Sequence, residues 1–170
     1  MRVAYADPPY PGQAKRLYGK HPDYAGEVNH RELIDRLERE FPDGWALSTG
    51  SKMLQSVIAL CPPVRVLVWI KPDAPPMGDG FHYGWEPVLL RGCRRPSPVI
   101  RDWISAVTEG YTFRPRPPEH VIGQKPQAFC RWLFSAMGLG LEDELIDLFP
   151  GSGAVGREWE SWRSQLKIPV

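Results

Sequence analysis

The most constraining feature of this chain is a strand that breaks into glycines and restarts as a helix. Glu144 to Phe149 is a short apolar strand, Pro150-Gly151-Ser152-Gly153 is the break, and the residues after it carry Val155, Trp159, Trp162 and Leu166 at helical spacing. A strand feeding a glycine turn and then a helix lets backbone amides approach an anionic or polar ligand at the helix start. It belongs to folds in which strands and helices alternate, and the rest of the chain follows that rhythm.

Arg2 to Ala6 reads as an alternating first strand. Asn29 caps a helix whose apolar positions Leu33, Ile34, Leu37 and Phe41 fall on one face, with Glu32 three residues after the cap. Trp45 to Thr49 is a short strand, and Ser51 opens a second helix with Leu54, Val57, Ile58 and Cys61 aligned until Pro62-Pro63 ends it. Val64 to Ile70 is a near-continuous apolar run, the mark of a central strand covered on both faces, and Trp85 to Leu90 is its neighbour. Gln124-Lys125-Pro126 starts a helix with Phe129, Trp132, Leu133 and Ala136 on one face, Pro126 fitting its first turn. Two polar stretches interrupt the pattern. Pro11 to Val28 reads as a long loop over a site, and Arg91 to Glu119 as an Arg/Pro-rich insert in which Val99 to Val107 is a short helix. The alternation predicts one domain over residues 1–170, an α/β fold with a Rossmann-like, doubly wound, mostly parallel sheet.

Composition narrows the partners. The 21 basic and 20 acidic residues leave a net charge of +1, so no global field draws the chain to nucleic acid or an anionic membrane, and any such contact is local. No apolar run approaches the roughly 18 residues of a membrane span, so no membrane partner is expected. Cys61, Cys93 and Cys130 are scattered and odd in number, which points to packing roles in a reducing compartment and predicts a cytoplasmic protein. His21, His30, His82 and His120 show no ligand spacing, so no metal is expected.

The second chemical feature is Asp7-Pro8-Pro9-Tyr10, an acidic, proline-stiffened, aromatic-ended turn running off the first strand. Such a turn can hold a flat base and its amine hydrogens. With Asp147 to Gly153 it forms a pair of motifs in which the acidic turn comes first and the glycine turn last. Between them stand Trp69-Ile70-Lys71, Trp85-Glu86-Pro87 and His120 followed by Gln124-Lys125-Pro126. In these motifs, over almost its whole length, the chain resembles the permuted amino methyltransferases of DNA, which make N6-methyladenine or N4-methylcytosine from S-adenosylmethionine (SAM). It is also similar to RNA adenine methyltransferases, which typically carry Trp where Tyr10 stands.

The resemblance implies a role for each matching residue. The Asp7 carboxylate and Pro8 carbonyl would accept the two amine hydrogens, with Pro9 stiffening the turn and Tyr10 stacking on the base. Asp147 would lie at the cofactor, Gly151 and Gly153 would let the backbone approach it beside Ser152, and Phe149 and Pro150 would form the wall. Lys125 would meet the carboxylate of the methionyl portion. Asp rather than Ser at the head of the first motif favours adenine N6. Lys15, Arg16 and Lys20 of the early loop and Arg94, Arg95, Arg114 and Arg116 of the insert are candidates for phosphates of DNA, or of RNA.

The chain departs from the family's pattern in two places. Only the stretch around Arg91 to Glu119 is available for target recognition, and Gln165 to Val170 is at most a stub of the strand that grips the cofactor's ribose. The adenosine half of the cofactor pocket is therefore expected to be open, weakly binding, or completed by a homodimer or partner subunit that could also complete the DNA site. A catalytically degenerate nucleic-acid-binding or partner subunit is the alternative. A third reading comes from Gly151, Gly153 and Gly156, which satisfy the dinucleotide-binding spacing. A nicotinamide enzyme, however, needs an acidic strand end about 20 residues further on, beyond Val170, and leaves Asp7 to Tyr10 without a task.

Overall fold

The computed structural model describes residues 1–12, 15, 26–74, 80–107 and 124–166. Their order is β1 (Arg2–Ala6), α1 (His30–Glu40), β2 (Gly44–Ser48), a 3-10 turn (Ser51–Met53), α2 (Leu54–Ile58), β3 (Arg65–Ile70), β4 (Trp85–Gly92), β5 (Trp103–Ser105), α3 (Gln127–Ala136), β6 (Glu144–Asp147) and α4 (Ala154–Leu166). The strands form one six-stranded sheet in the order β5-β3-β4-β2-β1-β6. β4 runs antiparallel to both its neighbours, and every other pair is parallel.

Alternation along β1 separates the two faces of the sheet. Val3 and Tyr5 join the core beneath α3 and α4, with Phe129, Leu133, Val155 and Trp159. Ala4 and Ala6 join the core beneath α1 and α2, with Leu33, Leu37 and Val57. Helices thus cover both faces, the doubly wound α/β arrangement expected, with β4 as its single reversal. The α1 side begins where the sequence indicated, because Asn29 Oδ1 accepts from the backbone N–H groups of Arg31 and Glu32 at 3.1 and 3.3 Å. On the other side α3 closes on Gly138 (φ +61), with Gly138 N donating to Ser135 O and Leu139 N to Phe134 O, both at 3.0 Å.

Several expectations are corrected. The apolar run Val64 to Ile70 is no central strand: β3 lies between β4 and the edge strand β5, and only Leu67 and Trp69 are buried in it. The fully covered strand is β2, buried along its whole length. Within Val99 to Val107 the chain forms β5 rather than a helix, because Val68 to Ile70 offers a parallel partner for Trp103 to Ser105. Pro126 is the N-cap of α3, one position before its first turn. Leu166 is exposed, so the inward face of α4 ends with Trp162. No helix among the described residues is long and apolar enough to cross a membrane, and none of their His, Cys, Asp and Glu side chains form a metal-binding group of three or more.

Candidate active site

β1 and β6 are parallel neighbours, with Tyr5 opposite Asp147. The chain leaving β1 passes to α1 on one face, while the chain leaving β6 passes to α4 on the other. Such divergence opens a crevice beyond the carboxyl ends of two strands, where open α/β sheets take their ligands. Asp7 to Tyr10 forms one lip of it and Asp147 to Gly153 the other. These two sequence candidates are brought together.

Asp7 stands at one end of a largely buried ionic cluster. Lys125, only 7% exposed, places Nζ 3.0 Å from Asp7 Oδ2 and 3.3 Å from Glu86 Oε2. Lys71 Nζ donates to Glu86 Oε1 at 2.6 Å, and the Tyr10 hydroxyl donates to the same carboxylate. Four charges of alternating sign therefore run Asp7, Lys125, Glu86, Lys71. Both ammonium groups also lie over the Trp69 ring, at 5.1 Å for Lys125 and 5.6 Å for Lys71. The fold produces this meeting because β4 starts where β1, β2 and β3 end, which puts Glu86 beside Lys71 and close to Asp7.

Burial raises the Asp7 carboxyl, an effect to which the Glu86 charge adds and which Lys125 opposes. Burial also works to raise Glu86, but Lys125, Lys71 and the Tyr10 hydroxyl overturn it and hold that carboxyl at about 2. Lys125 is disfavoured by burial, yet Asp7 and Glu86 keep its pKa well above the ordinary lysine value. Burial lifts the Tyr10 phenol, and the neighbouring Glu86 charge adds to the lift. The cluster is thus a fixed arrangement of charges in which Asp7 is the more readily protonated of the two carboxylates.

Gly50, just past β2, leaves room for Tyr10: a Cβ there would stand 3.1 Å from Tyr10 Cδ2. The ring is held by this contact and by its hydroxyl bond to Glu86. Behind it, Tyr5 Oη and Ser48 Oγ are hydrogen-bonded at 2.8 Å. Thr49 Oγ1, on the next residue along the chain from Ser48, is buried with no hydrogen-bond partner among the described residues.

On the other lip, Asp147 Oδ1 accepts from Phe149 N at 3.1 Å. Burial pushes Asp147 up to about 6, the Phe149 N–H pulling against it and the Asp7 charge adding to it. Gly151 (φ +47) and Gly153 (φ +72) make the turn with backbone angles that suit glycine. A Gly151 Cβ would meet nothing closer than Phe149 O at 3.9 Å among the described residues beyond its chain neighbours, whereas a Gly153 Cβ would stand 2.9 Å from the Arg157 guanidinium. Ser152 Oγ accepts from Ala154 N at 3.3 Å at the start of α4. Phe149 packs partly into the core while Pro150 is exposed.

The remaining candidates divide among the ionic cluster, other parts of the chain and positions outside the described residues. Lys125 is bound by two carboxylates and buried, so the structure assigns its ammonium to Asp7 and Glu86 rather than leaving it for a ligand carboxylate. Arg94 and Arg95 follow β4 at the opposite end of the sheet from Asp7. Lys15 is exposed, and its backbone N–H donates to Glu27 Oε1 at 3.3 Å. Arg16, Lys20, Arg114, Arg116, His21 and His120 lie outside the described residues, as does most of the loop from Pro11 to Val28.

The residues to which sequence reasoning gave no role are Lys71 and Glu86. The signal was available, since Lys71 directly follows one predicted strand and Glu86 is the second residue of the strand predicted beside it.

No protein-family profile matches this chain, and no curated protein is similar to it in sequence. Solved structures are. The M1.HpyAVI–SAM complex superposes with a TM-score of 0.60 at 16% identity, covering 95% of this chain and 78% of that one. M1.HpyAVI without the complex gives 0.61 at 15% identity, covering 95% and 76%. At this identity the likeness establishes the fold: the mostly parallel six-stranded sheet with helices on both faces is a methyltransferase-type α/β core.

Proposed function

We propose that this chain is a SAM-dependent methyltransferase acting on an exocyclic amine of a nucleobase, with adenine N6 in DNA as its substrate. The observation that carries the reading is the departure of Asp7 to Tyr10 and Asp147 to Gly153 from adjacent parallel strands into one crevice. The bound SAM of the structural neighbour supports the cofactor. So does the fit of this chain's own residues, a turn open at Gly151 beside a half-buried carboxylate, with the Arg157 guanidinium closing its far side by donating to Ser152 O at 2.7 Å.

SAM, when bound, supplies a methyl group on a positively charged sulfur. Gly151, Ser152 and Gly153 would hold it, with Asp147 beside them. The remaining task is to make an amine nucleophilic, because the lone pair of an exocyclic amine is delocalised into the ring. Lys125 binds Asp7 Oδ2, which leaves Oδ1 to accept one amine hydrogen while the Pro8 carbonyl accepts the other. Two acceptors aimed in this way favour a pyramidal nitrogen and stabilise the positive charge it gains, the preorganised electrostatics that dominate such reactions. Asp7, raised by burial, is the nearest base for the proton that the nitrogen then sheds. Tyr10, pinned by Gly50 and Glu86, offers a ring on which a base drawn out of a helix can stack.

The test is to incubate the protein with methyl-labelled SAM and DNA or RNA of mixed sequence, followed by nucleoside analysis. Label in N6-methyladenine from DNA is expected. Label in N4-methylcytosine, or only in RNA, would correct the substrate. No label with any polymer would overturn the enzyme reading, and DNA binding without SAM binding in calorimetry would then favour a non-catalytic nucleic-acid-binding subunit. The proposed setting is the cytoplasm, with a second copy of the chain or a partner subunit completing the site.

A further inference from the structure

A second cleft, of about 380 Å³, opens at the opposite end of the sheet from Asp7, between the start of β3, the end of β4 and the chain from Cys93 to Asp102. Glu86 and Gly92 are the near and far ends of this span of β4, so the two sites are about 20 Å apart. Leu67, Leu90 and Ala136 give the cleft an apolar floor, and among the described residues Arg65, Arg94, Arg95 and Arg101 line it together with a single carboxylate, Asp102.

The rim is built rather than loose. Gly92 (φ +64) and Cys93 (φ +66) turn the chain sharply out of β4, and Cys93 N donates to Asp43 O at 2.7 Å. A Cβ on Gly138 would stand 2.6 Å from Arg94 O, so this glycine lets the rim pack onto the end of α3. Arg94 is spent on that structure. Its guanidinium reaches Gly138 O at 3.0 Å and both oxygens of Asp143 at 3.1 and 3.3 Å.

The other three arginines are different. Arg65 and Arg95 are exposed, and among the described residues neither pairs with a carboxylate. Arg101 lies over the half-exposed Trp103 ring at 5.1 Å. Guanidinium forks match phosphate oxygens in pairs, and the cleft volume falls in the range of small-ligand pockets.

We propose that this cleft binds a phosphate group carried on a flat or apolar body: a nucleotide, either free or as one unit of a nucleic-acid strand. Arg65, Arg95 and Arg101 hold the phosphate, and the floor takes the apolar body. The site is independent of methyl transfer and of Asp7.

The test uses two probes, adenosine 5′-monophosphate in calorimetry and a short labelled single-stranded oligonucleotide in fluorescence anisotropy. Each is applied to the unaltered protein, to the Arg65→Ala/Arg95→Ala double variant and to Asp7→Asn. The double variant is expected to bind at least one probe about tenfold more weakly, with its melting temperature unchanged within about 2 °C. If the oligonucleotide is the ligand, the slope of log affinity against log salt falls by about 0.7 per arginine removed. A loss confined to the monophosphate identifies a free nucleotide, and a loss confined to the oligonucleotide identifies a strand. Should the double variant melt early, Arg95→Glu alone serves, with the same losses expected. The proposal is overturned if neither probe binds at millimolar concentration, if the arginine variants bind both as well as the unaltered protein, or if Asp7→Asn weakens binding as much as they do.

Discussion

Tyr5 and Asp147 face each other across the parallel pair β1–β6. From that register the acidic turn that follows Ala6 and the glycine turn that follows Asp147 must leave the sheet at the same height and on the same edge. Leu148 N donates to Tyr5 O at 2.9 Å, extending the pairing to the point where the two chains separate. Motifs about 140 residues apart in sequence thus become the two lips of one crevice.

The first prediction concerns Asp7. Asn keeps the size of the side chain and one acceptor but loses the charge that answers Lys125 and the capacity to take a proton. Asp7→Asn is expected to lower methyl transfer about 10³-fold while leaving SAM affinity within a factor of about two. Labelled transfer and calorimetry on the same sample check both. A variant that loses SAM binding in parallel would place Asp7 in the cofactor site instead.

Glu86 carries the second. It balances Lys71 and Lys125, so Glu86→Gln leaves a buried excess of positive charge and should destabilise the protein by about 3 kcal/mol in urea unfolding. Its folded pKa is about 2 against an ordinary 4.5. The stabilisation is therefore complete above about pH 4.5 and is lost as pH falls towards 2. The unaltered protein and Glu86→Gln should converge in stability across that window, and a constant difference from pH 7 to pH 3 would contradict the assignment.

How far the sequence anticipates this structure differs between the scaffold and the cluster. The Asn29 cap, the apolar face of α1 and the glycine turn before α4 are local signals, and each appears where it was read. β5 is not local. Val99, Ile100, Trp103, Ile104 and Val107 suit one face of a helix as well as they suit a strand, and what decides is the free edge of β3, which no propensity records. The same holds for the Asp7–Lys125–Glu86–Lys71 cluster. Its members come from four separate places in the chain and meet because β4 runs against its neighbours, a reversal that alternating strands and helices do not announce. Lys125, read as a ligand for the cofactor, is the clearest consequence: its motif was visible, but its two carboxylate partners were not.

Tyr10 offers a separation of ring from hydroxyl. Tyr10→Phe removes the bond to Glu86 and should cost about 1 kcal/mol of stability while keeping a surface for a base. Tyr10→Ala removes the stacking surface too, worth about 1–3 kcal/mol per base, and should raise KM for DNA about tenfold or more. Steady-state kinetics on both variants decide it. Equal effects on KM would mean that the hydroxyl, rather than the ring, meets the substrate.

Gly138 tests the packing between the end of α3 and the rim of the arginine cleft. Its φ of +61 is strained for any residue with a Cβ, and that Cβ would press on Arg94 O at 2.6 Å. Gly138→Ala should therefore destabilise by about 2 kcal/mol, measured in urea. A neutral result would show that Arg94 and its loop can move away freely.

Asp147 makes the last prediction, and its sign is opposite to that of Glu86. Burial raises its pKa to about 6 from an ordinary 3.8, so the folded chain holds a proton that the unfolded chain has released between those values. Stability therefore falls as pH rises from about 4 to about 6 and is level above. Asp147→Asn keeps the size but cannot ionise, so it should melt higher than the unaltered protein at pH 8, with the difference vanishing below about pH 4. The ionised carboxylate is also the form that would favour a positively charged cofactor. SAM affinity should accordingly rise as pH is raised through about 6 in the unaltered protein and lose that dependence in Asp147→Asn. Melting curves from about pH 3.5 to pH 8 and calorimetric titrations at pH 5 and pH 8 measure the two effects, and a pH-independent SAM affinity would remove Asp147 from the cofactor site while leaving its effect on stability intact.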